Sequence, residues 1–238
     1  MKYGRIVLVL AILAMIACVV QPVLAEMDTN TSNASIYYNR GSLAASGGDF
    51  ERALVYFDMA LASNTSLVAK SDTLTYIYKD KAAVLTDLGQ YEEAVKTADQ
   101  GLALYKKDPG LWNNKGYALY KQSKYDDAIN AYTNAISAAE AQNTTYLKGY
   151  LNKGIALNAA GRPYDAVAAF NKVLELDPGN TDATAGLAEA QAAATKLTIV
   201  LAVIVIVALG IVIWYVKFRK PADRKAATGK KEKRSKKE

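Results

Sequence analysis

The most informative absence from this 238-residue chain is histidine, which does not occur at all. Histidine is the commonest general base and a frequent metal ligand, so the usual acid–base and zinc chemistries are excluded. Cysteine occurs once, as Cys18 within an apolar N-terminal stretch, and a chain cleaved after that stretch would have no thiol. A phosphate-binding glycine loop is also missing. The sequence therefore predicts a protein that is not an enzyme and that binds neither a cofactor nor a metal.

Two carboxylate pairs are the remaining candidates for catalysis or cation binding. Glu92-Glu93 and Asp126-Asp127 each follow a turn signal, at the predicted start of a helix. Negative charge at that position stabilises a helix by complementing its dipole. We therefore interpret both pairs as structural.

Small residues recur along the chain in one pattern. Four times, a glycine or alanine is followed twelve positions later by an alanine, and the starting positions are 41, 34 and 38 residues apart. A period near 34 residues is typical of stacked helical hairpins, in which small residues allow two helices to cross closely. The four pairs are Gly41/Ala53, Ala82/Ala94, Gly116/Ala128 and Gly154/Ala166.

Turn signals separate the two predicted helices of each unit. Glycine suits these turns because it adopts left-handed backbone angles without a steric penalty. Asp108-Pro109 and Asp177-Pro178 are predicted to end two of the second helices, because proline cannot continue a helix. The turn residues are Gly48, Gly89, Ser123 and Gly161.

On these residues the chain resembles the tetratricopeptide repeat family, with about four units over roughly residues 34–180. The resemblance implies an all-α fold. That fold is an α-solenoid of helical hairpins whose first helices line a groove for peptides or protein surfaces. Residues 181–196 are predicted to form a closing helix over the last apolar face, which completes a repeat domain of residues 34–196. The fourth unit matches best, through Gly154, Leu157, Gly161, Ala166, Phe170 and Pro178.

A set of polar and aromatic residues is expected to face this groove and to bind a protein or peptide. Tyrosine gives rigid contact area and a hydroxyl group, which suits protein recognition. Some members of the family hold a peptide's terminal carboxylate with five Lys, Asn and Arg side chains. Lys79, Asn114 and Lys148 match three of these positions, whereas Ala83 and Asn152 depart from the pattern. The candidate groove residues are Tyr38, Tyr76, Lys79, Asn113, Asn114, Tyr117, Tyr120, Lys148 and Asn152.

Two apolar stretches flank the repeats. Residues 1–25 combine Lys2 and Arg5, an apolar run and a small-residue exit, a pattern typical of a cleaved signal peptide. An uncleaved anchor and a lipoprotein site at Cys18 are the alternatives. A short linker, 26–33, separates this segment from the repeats. Residues 197–216 contain no charge and are long enough to cross a bilayer as a helix, with a buried helix of a soluble protein as the alternative.

The distribution of charge predicts the orientation in the membrane. The tail, residues 217–238, carries +8 and residues 1–25 carry +2, which leaves −4 for residues 26–196 within the total of +6. Basic flanks stay on the cytoplasmic side, so the repeats are expected outside the cell membrane and the tail inside. The tail is polar and charged, and we expect it to be disordered.

Four asparagine sequons are consistent with an exported domain, because glycosylation requires an exposed loop outside the cytoplasm. The predicted function is a protein-interaction scaffold tethered by one membrane span. The alternatives are an assembly or signalling factor, whose basic tail engages a cytoplasmic partner, anionic lipid or the RNA of a ribosome, and an adaptor that faces the cytosol. The candidate glycosylation sites are Asn30, Asn33, Asn64 and Asn143.

Overall fold

The computed structural model describes residues 33–63 and 72–235, with side chains as far as residue 218. Within these ranges the chain is entirely helical, which confirms the predicted all-α solenoid. Helices that follow one another pack together, and the last helix closes the stack against its predecessor. The helices are α1 (33–46), α2 (Phe50–Ala62), α3 (Asp72–Asp87), α4 (Tyr91–Leu104), α5 (Pro109–Lys121), α6 (Tyr125–Glu140), α7 (Leu147–Ala159), α8 (Pro163–Leu176) and α9 (Thr181–Ser235).

In three of the four hairpins, a glycine of the first helix lies directly against an aromatic ring of the second. A Cβ atom added to any of these glycines would lie 2.7 Å from the nearest ring carbon. Real Cβ contacts are not this short, so only glycine allows the two helices to approach this closely. The tightest partner is sixteen residues beyond the glycine, and the alanine twelve residues beyond is fully buried beside it. The pairs are Gly41–Phe57, Gly116–Tyr132 and Gly154–Phe170.

The second hairpin, α3 with α4, has different residues at the corresponding positions. Ala82 takes the position of the glycine and Ala98 takes the position of the aromatic ring, and both are fully buried. The added methyl group on one helix is thus accompanied by the loss of a ring on the other. Conservation of total volume keeps a core densely packed.

The buried residues of the hairpins form three clusters that are connected by the partly buried Leu54 and Val95, and α9 covers the last cluster. Phe170 is fully buried and lies against two glycines, because Gly186 of α9 approaches the same ring as Gly154. Ala183 and Ala190 of α9 are also fully buried against this cluster. The first part of α9 therefore closes the solenoid, as the sequence predicts.

Left-handed residues end the first helix of each hairpin, at the predicted positions. Gly48, Gly89 and Gly161 have φ of 81°, 77° and 71°, and Ser123 has φ of 60°. The expected role of the first Asp-Pro pair was wrong. Its aspartate, residue 108, caps α5 by accepting from the Leu111 amide at 2.8 Å, so the pair begins α5, where proline is well tolerated.

Helix α9 runs without interruption from the solenoid through the apolar stretch. Its residues 181–218 form a helix that is long and apolar enough to cross a membrane, and none of its most apolar window is buried. The helix also continues as far as Ser235, so the expectation of a disordered tail was wrong for most of that segment. Lysine, arginine, glutamate and alanine, which are all strong helix formers, make up most of residues 219–235 and favour the continuation.

Substitution Gly154→Ala tests the glycine–ring contact. Helix propensity alone predicts a gain of about 1 kcal/mol in the free energy of unfolding. The approach of the new Cβ to the Phe170 ring predicts overpacking and a net loss of about 1–3 kcal/mol. Thermal unfolding of the full chain in detergent, followed by circular dichroism, shows whether the substitution stabilises or destabilises the fold. Gly47→Ala is the control, because its Cβ would meet only ordinary contacts at 3.5 Å, and a stabilised Gly154→Ala would contradict the packing account.

Candidate functional site

The first helices α3, α5 and α7 lie next to one another and enclose a cavity of about 320 Å³, here called the groove cavity. Five of the nine candidate residues line it, and they come from α5 and α7. Helix α3 contributes the other two lining residues. The lining residues are Ala83, Asp87, Asn113, Asn114, Tyr117, Lys148 and Asn152.

A chain of amide groups connects the three helices across the floor of the groove cavity. Asn152 of α7 donates to the Asn113 side-chain oxygen of α5 at 2.8 Å. Asn113 donates in turn to its neighbour Asn114 at 3.5 Å, and Asn114 donates to the Lys79 carbonyl oxygen of α3 at 2.8 Å. These bonds join residues 39 and 35 positions apart in sequence. The hydrogen bonds thereby hold the asparagines in fixed orientations.

Asn113 is the centre of this chain and is only 2% exposed. A buried amide without partners would be costly, and its bonds to both neighbours avoid that cost. Its position makes it a support for Asn114 and Asn152, which are more exposed. Of the three candidate asparagines, these two are partly exposed.

Opposite charges stand at the exposed part of the groove cavity. Lys148 of α7 and Asp87 of α3 are both exposed and line the same space. Among the described residues neither forms an ion pair within 4.0 Å. The cavity therefore presents one positive and one negative group beside a row of amides.

Lys79 and Tyr76 lie apart from the groove cavity, in a second cavity of about 490 Å³ near the loop between α4 and α5. The Lys79 ammonium is 3.3 Å from a carboxylate oxygen of Asp108 and 4.5 Å from the centre of the Tyr76 ring. Both Lys79 and Asp108 are about one-fifth exposed. The side chain of Lys79 is therefore held by Asp108, while Asn114 and Lys148 line the groove cavity.

Tyr38 of α1 belongs to a hydrogen-bonded pair rather than to either cavity. Its hydroxyl donates to the Asp80 carboxylate at 2.9 Å, and its ring packs against Phe57 and Tyr76. Burial, together with the charge of Asp80 and the hydrogen bond to its carboxylate, raises the pKa of Tyr38 to about 12. Burial also raises the pKa of Asp80, although the hydrogen bond and the charge of Lys79 oppose that shift.

Tyr120 is the remaining candidate, and it packs towards the core. Its ring centre lies 5.6 Å from that of Tyr125, and the side chain contacts the buried cluster around Tyr132. Asp87 is a lining residue that the sequence reasoning missed. It lies four and eight positions beyond Ala83 and Lys79 on the same helix face, so the helical period contained the signal that could have found it.

Two of the four candidate glycosylation sites lie within the described residues, and both are exposed. Asn143 is exposed in the turn between α6 and α7, with φ of 55°. Asn33 is also exposed and lies within α1, whereas the sequence placed it before the first helix. Asn30, Asn64 and the proposed signal segment 1–25 lie outside the described residues.

Sequence models described as tetratricopeptide repeat match three segments of the chain, residues 34–65, 109–140 and 151–198. Similar curated proteins include the Hsp70-Hsp90 organizing protein of Triticum aestivum, 34% identical over 121 residues, which is 49% of this chain and 19% of that protein. RNA polymerase II-associated protein 3 of Mus musculus is 28% identical over 179 residues, 71% of this chain and 26% of that protein. The chain thus spans about a fifth to a quarter of the length of these relatives.

Solved structures share the same fold. A solved structure of Pseudomonas aeruginosa pilF superimposes on this chain with a TM-score of 0.59 at 18% identity. The match covers 71% of this chain and 72% of that one. At this level of identity the likeness extends to the fold alone.

Substitution Asn113→Ala tests whether the amide chain organises the groove floor. The change removes the partner of Asn152 and the donor to Asn114, and it leaves polar groups unpaired in a largely buried place. We expect the free energy of unfolding to fall by about 1–3 kcal/mol in chemical denaturation. Asn134→Ala, an exposed mid-helix position of α6, is the matched control and should change it by less than about 0.5 kcal/mol. Equal effects of the two substitutions would show that the chain of hydrogen-bonded amides contributes nothing to stability.

Proposed function

The chain carries tetratricopeptide repeats, and from that premise we propose that it is a non-enzymatic scaffold that binds a protein or peptide in the groove cavity between α3, α5 and α7. Repeats of this kind mediate protein–protein interactions. The observation that carries the proposal is the row of amides held in place across three helices. A partner that meets fixed donors and acceptors loses less freedom on binding than one that must order them.

The chemistry of the lining favours a polar, extended segment as the ligand. Amide side chains such as those of Asn114 and Asn152 can pair with the N–H and C=O groups of a peptide backbone. Lys148 and Asp87 supply one charge of each sign, so an adjacent acidic and basic residue on the partner would both be paired. The groove cavity thus selects a segment of mixed charge over one that is acidic throughout.

We further propose that a single membrane span tethers this scaffold, with the repeats on the extracytoplasmic side and the C terminus in the cytoplasm. The apolar part of α9 supports this because its large side chains, from Ile199 to Phe218, are exposed along the described helix. An apolar surface of that length requires a lipid or protein environment. The basic charge beyond residue 216 supports the orientation.

Photo-crosslinking tests the groove as the binding surface. A benzoylphenylalanine placed at Tyr117, which lines the groove cavity, should give a discrete adduct in native membranes. The same group at Asn134, exposed on α6 outside the groove cavity, should not. Asn152→Ala should reduce the adduct at position 117 about two- to tenfold, since one hydrogen bond contributes about 0.5–1.5 kcal/mol. Labelling from 134 alone, or a yield unaffected by Asn152→Ala, would place the binding surface elsewhere.

Glycan attachment tests the orientation. Thr145→Ala removes the Asn143 sequon and leaves the left-handed residue itself unchanged. In a host that glycosylates exported proteins, we expect this variant to lose the mass of one glycan in gel electrophoresis. Thr144→Ala keeps the sequon and should retain the glycan. Digestion of the repeats by a protease added to intact cells is the second measurement. Absence of any glycan at Asn143, together with repeats that resist the protease, would contradict the orientation.

A further inference from the structure

A tyrosine at the start of α8 fixes the level at which the apolar stretch leaves the solenoid. Tyr164, the second residue of α8, has its hydroxyl 2.5 Å from the Thr198 hydroxyl and 3.3 Å from the Ala194 carbonyl oxygen. Tyr164 directly follows the turn between α7 and α8. That turn therefore lies level with the boundary of the apolar stretch, which begins at Leu197.

No flexible joint separates the solenoid from this boundary. Helix α9 continues through Lys196, the last charged residue before the apolar stretch, without a break. Ala190 and Ala194 are buried against the solenoid, and the Asn158 amide donates to the Gly186 carbonyl oxygen at 3.3 Å. Since a helix is stiff over such a short distance, the solenoid and the apolar stretch behave as one rigid unit.

Helical dimensions translate this arrangement into distances. The three residues from Ala194 to Leu197 correspond to about 5 Å along the axis at a rise of about 1.5 Å per residue. The polar headgroup layer on each side of a bilayer is about 5–8 Å deep. The Tyr164 hydroxyl therefore falls within the headgroup layer when residues 197–216 occupy the hydrocarbon core. The opposite end of α8, Leu176, is twelve residues beyond Tyr164 and so lies about 18 Å further along the helix axis, away from the bilayer.

The neighbouring hairpin presents its turn on the same side. Arg162 lies 3.9 Å from the Asp126 carboxylate, which joins the turn between α7 and α8 to the start of α6. The residues around these two turns also line a shared surface depression. We call residues 122–127 and 159–165 together the turn edge of the solenoid.

We propose that the turn edge rests on the lipid headgroups of the bilayer that α9 crosses, so that the solenoid is held at one orientation to the membrane; this rests on the membrane tether proposed above. Tyr164 suits this place because the residue is 52% exposed and combines an aromatic ring with a polar hydroxyl, the combination favoured at membrane interfaces. The position follows from the continuity of the helix rather than from charge. The turn edge carries Lys124 and Arg162 against Asp126, Asp127 and Asp165, so anionic lipid does not attract it.

A pair of single-cysteine variants measures which edge meets the bilayer. In a full-length Cys18→Ser background, which has no other cysteine, Ala159→Cys places a label on the turn edge. Ala141→Cys places the same label at the end of α6, on the opposite edge, and both alanines are exposed. The labelled chains are reconstituted in phosphatidylcholine vesicles that contain a lipid with a nitroxide on its headgroup.

We expect the nitroxide to quench a fluorophore at position 159 several-fold more strongly than one at position 141. The result should be the same in 1 M salt, because charge does not hold the edge in place. Equal quenching at both positions in protein that floats with the vesicles would overturn the inference. Failure to float with the vesicles would instead overturn the membrane tether itself, so the two failures are distinguishable.

Insertion of a flexible Gly-Ser segment between Lys196 and Leu197 tests whether the continuity of α9 positions the turn edge at the bilayer. The insertion leaves the packed part of α9 and the apolar stretch intact but breaks their continuity. The difference in quenching between positions 159 and 141 should then be lost. A difference that survives the insertion would show that the turn edge binds lipid on its own, which would overturn helix continuity as the cause.

Discussion

The separation between the two helices of each hairpin is the constraint on which the rest of the structure depends. In three hairpins it is set by a glycine against a buried aromatic ring, at a distance that leaves no room for a Cβ atom. The second hairpin has a fully buried alanine on each side instead. Because all four hairpins are closely packed, α3, α5 and α7 come side by side. Only then can Asn152, Asn113 and Asn114 form one chain of hydrogen bonds across three helices.

Most of the fold could be predicted from the sequence because the same local sequence signals occur in every repeat. Turn residues with left-handed angles, acidic first turns and small residues at the crossings all follow from short-range chemistry. The identity of the closest contact could not be predicted in the same way. A twelve-residue spacing identifies two small residues on facing helices, whereas the reach of the ring at Phe57 or Phe170 depends on its orientation across the hairpin.

The candidate site was less predictable because its geometry depends on contacts between helices. Lys79 has the residue type and position of a groove cation. However, Asp108, which caps α5, lies 3.3 Å from the Lys79 ammonium and holds it outside the groove cavity. Asn113 lies on the groove face and is nonetheless buried, because Asn152 of the following unit covers it. Both outcomes are decided by side chains 29 and 39 positions away. Asp87 differs, since the period of α3 alone places it beside Ala83.

Helix α9 caps the solenoid and, in the tether proposed above, also crosses the membrane, two tasks that other designs would divide between a cap and a linker. A cap needs one apolar stripe of small residues, which Ala183, Ala190 and Ala194 provide, whereas a membrane span needs apolar residues on every side. Joining them in one helix removes the rotational freedom that a flexible linker would give to the groove cavity. In the tether proposed above, a groove cavity with one fixed orientation would present a higher effective concentration to partners held in the same membrane. The same rigidity would disfavour partners that have to approach through the bilayer, so geometry would add to the selectivity of the proposed groove lining.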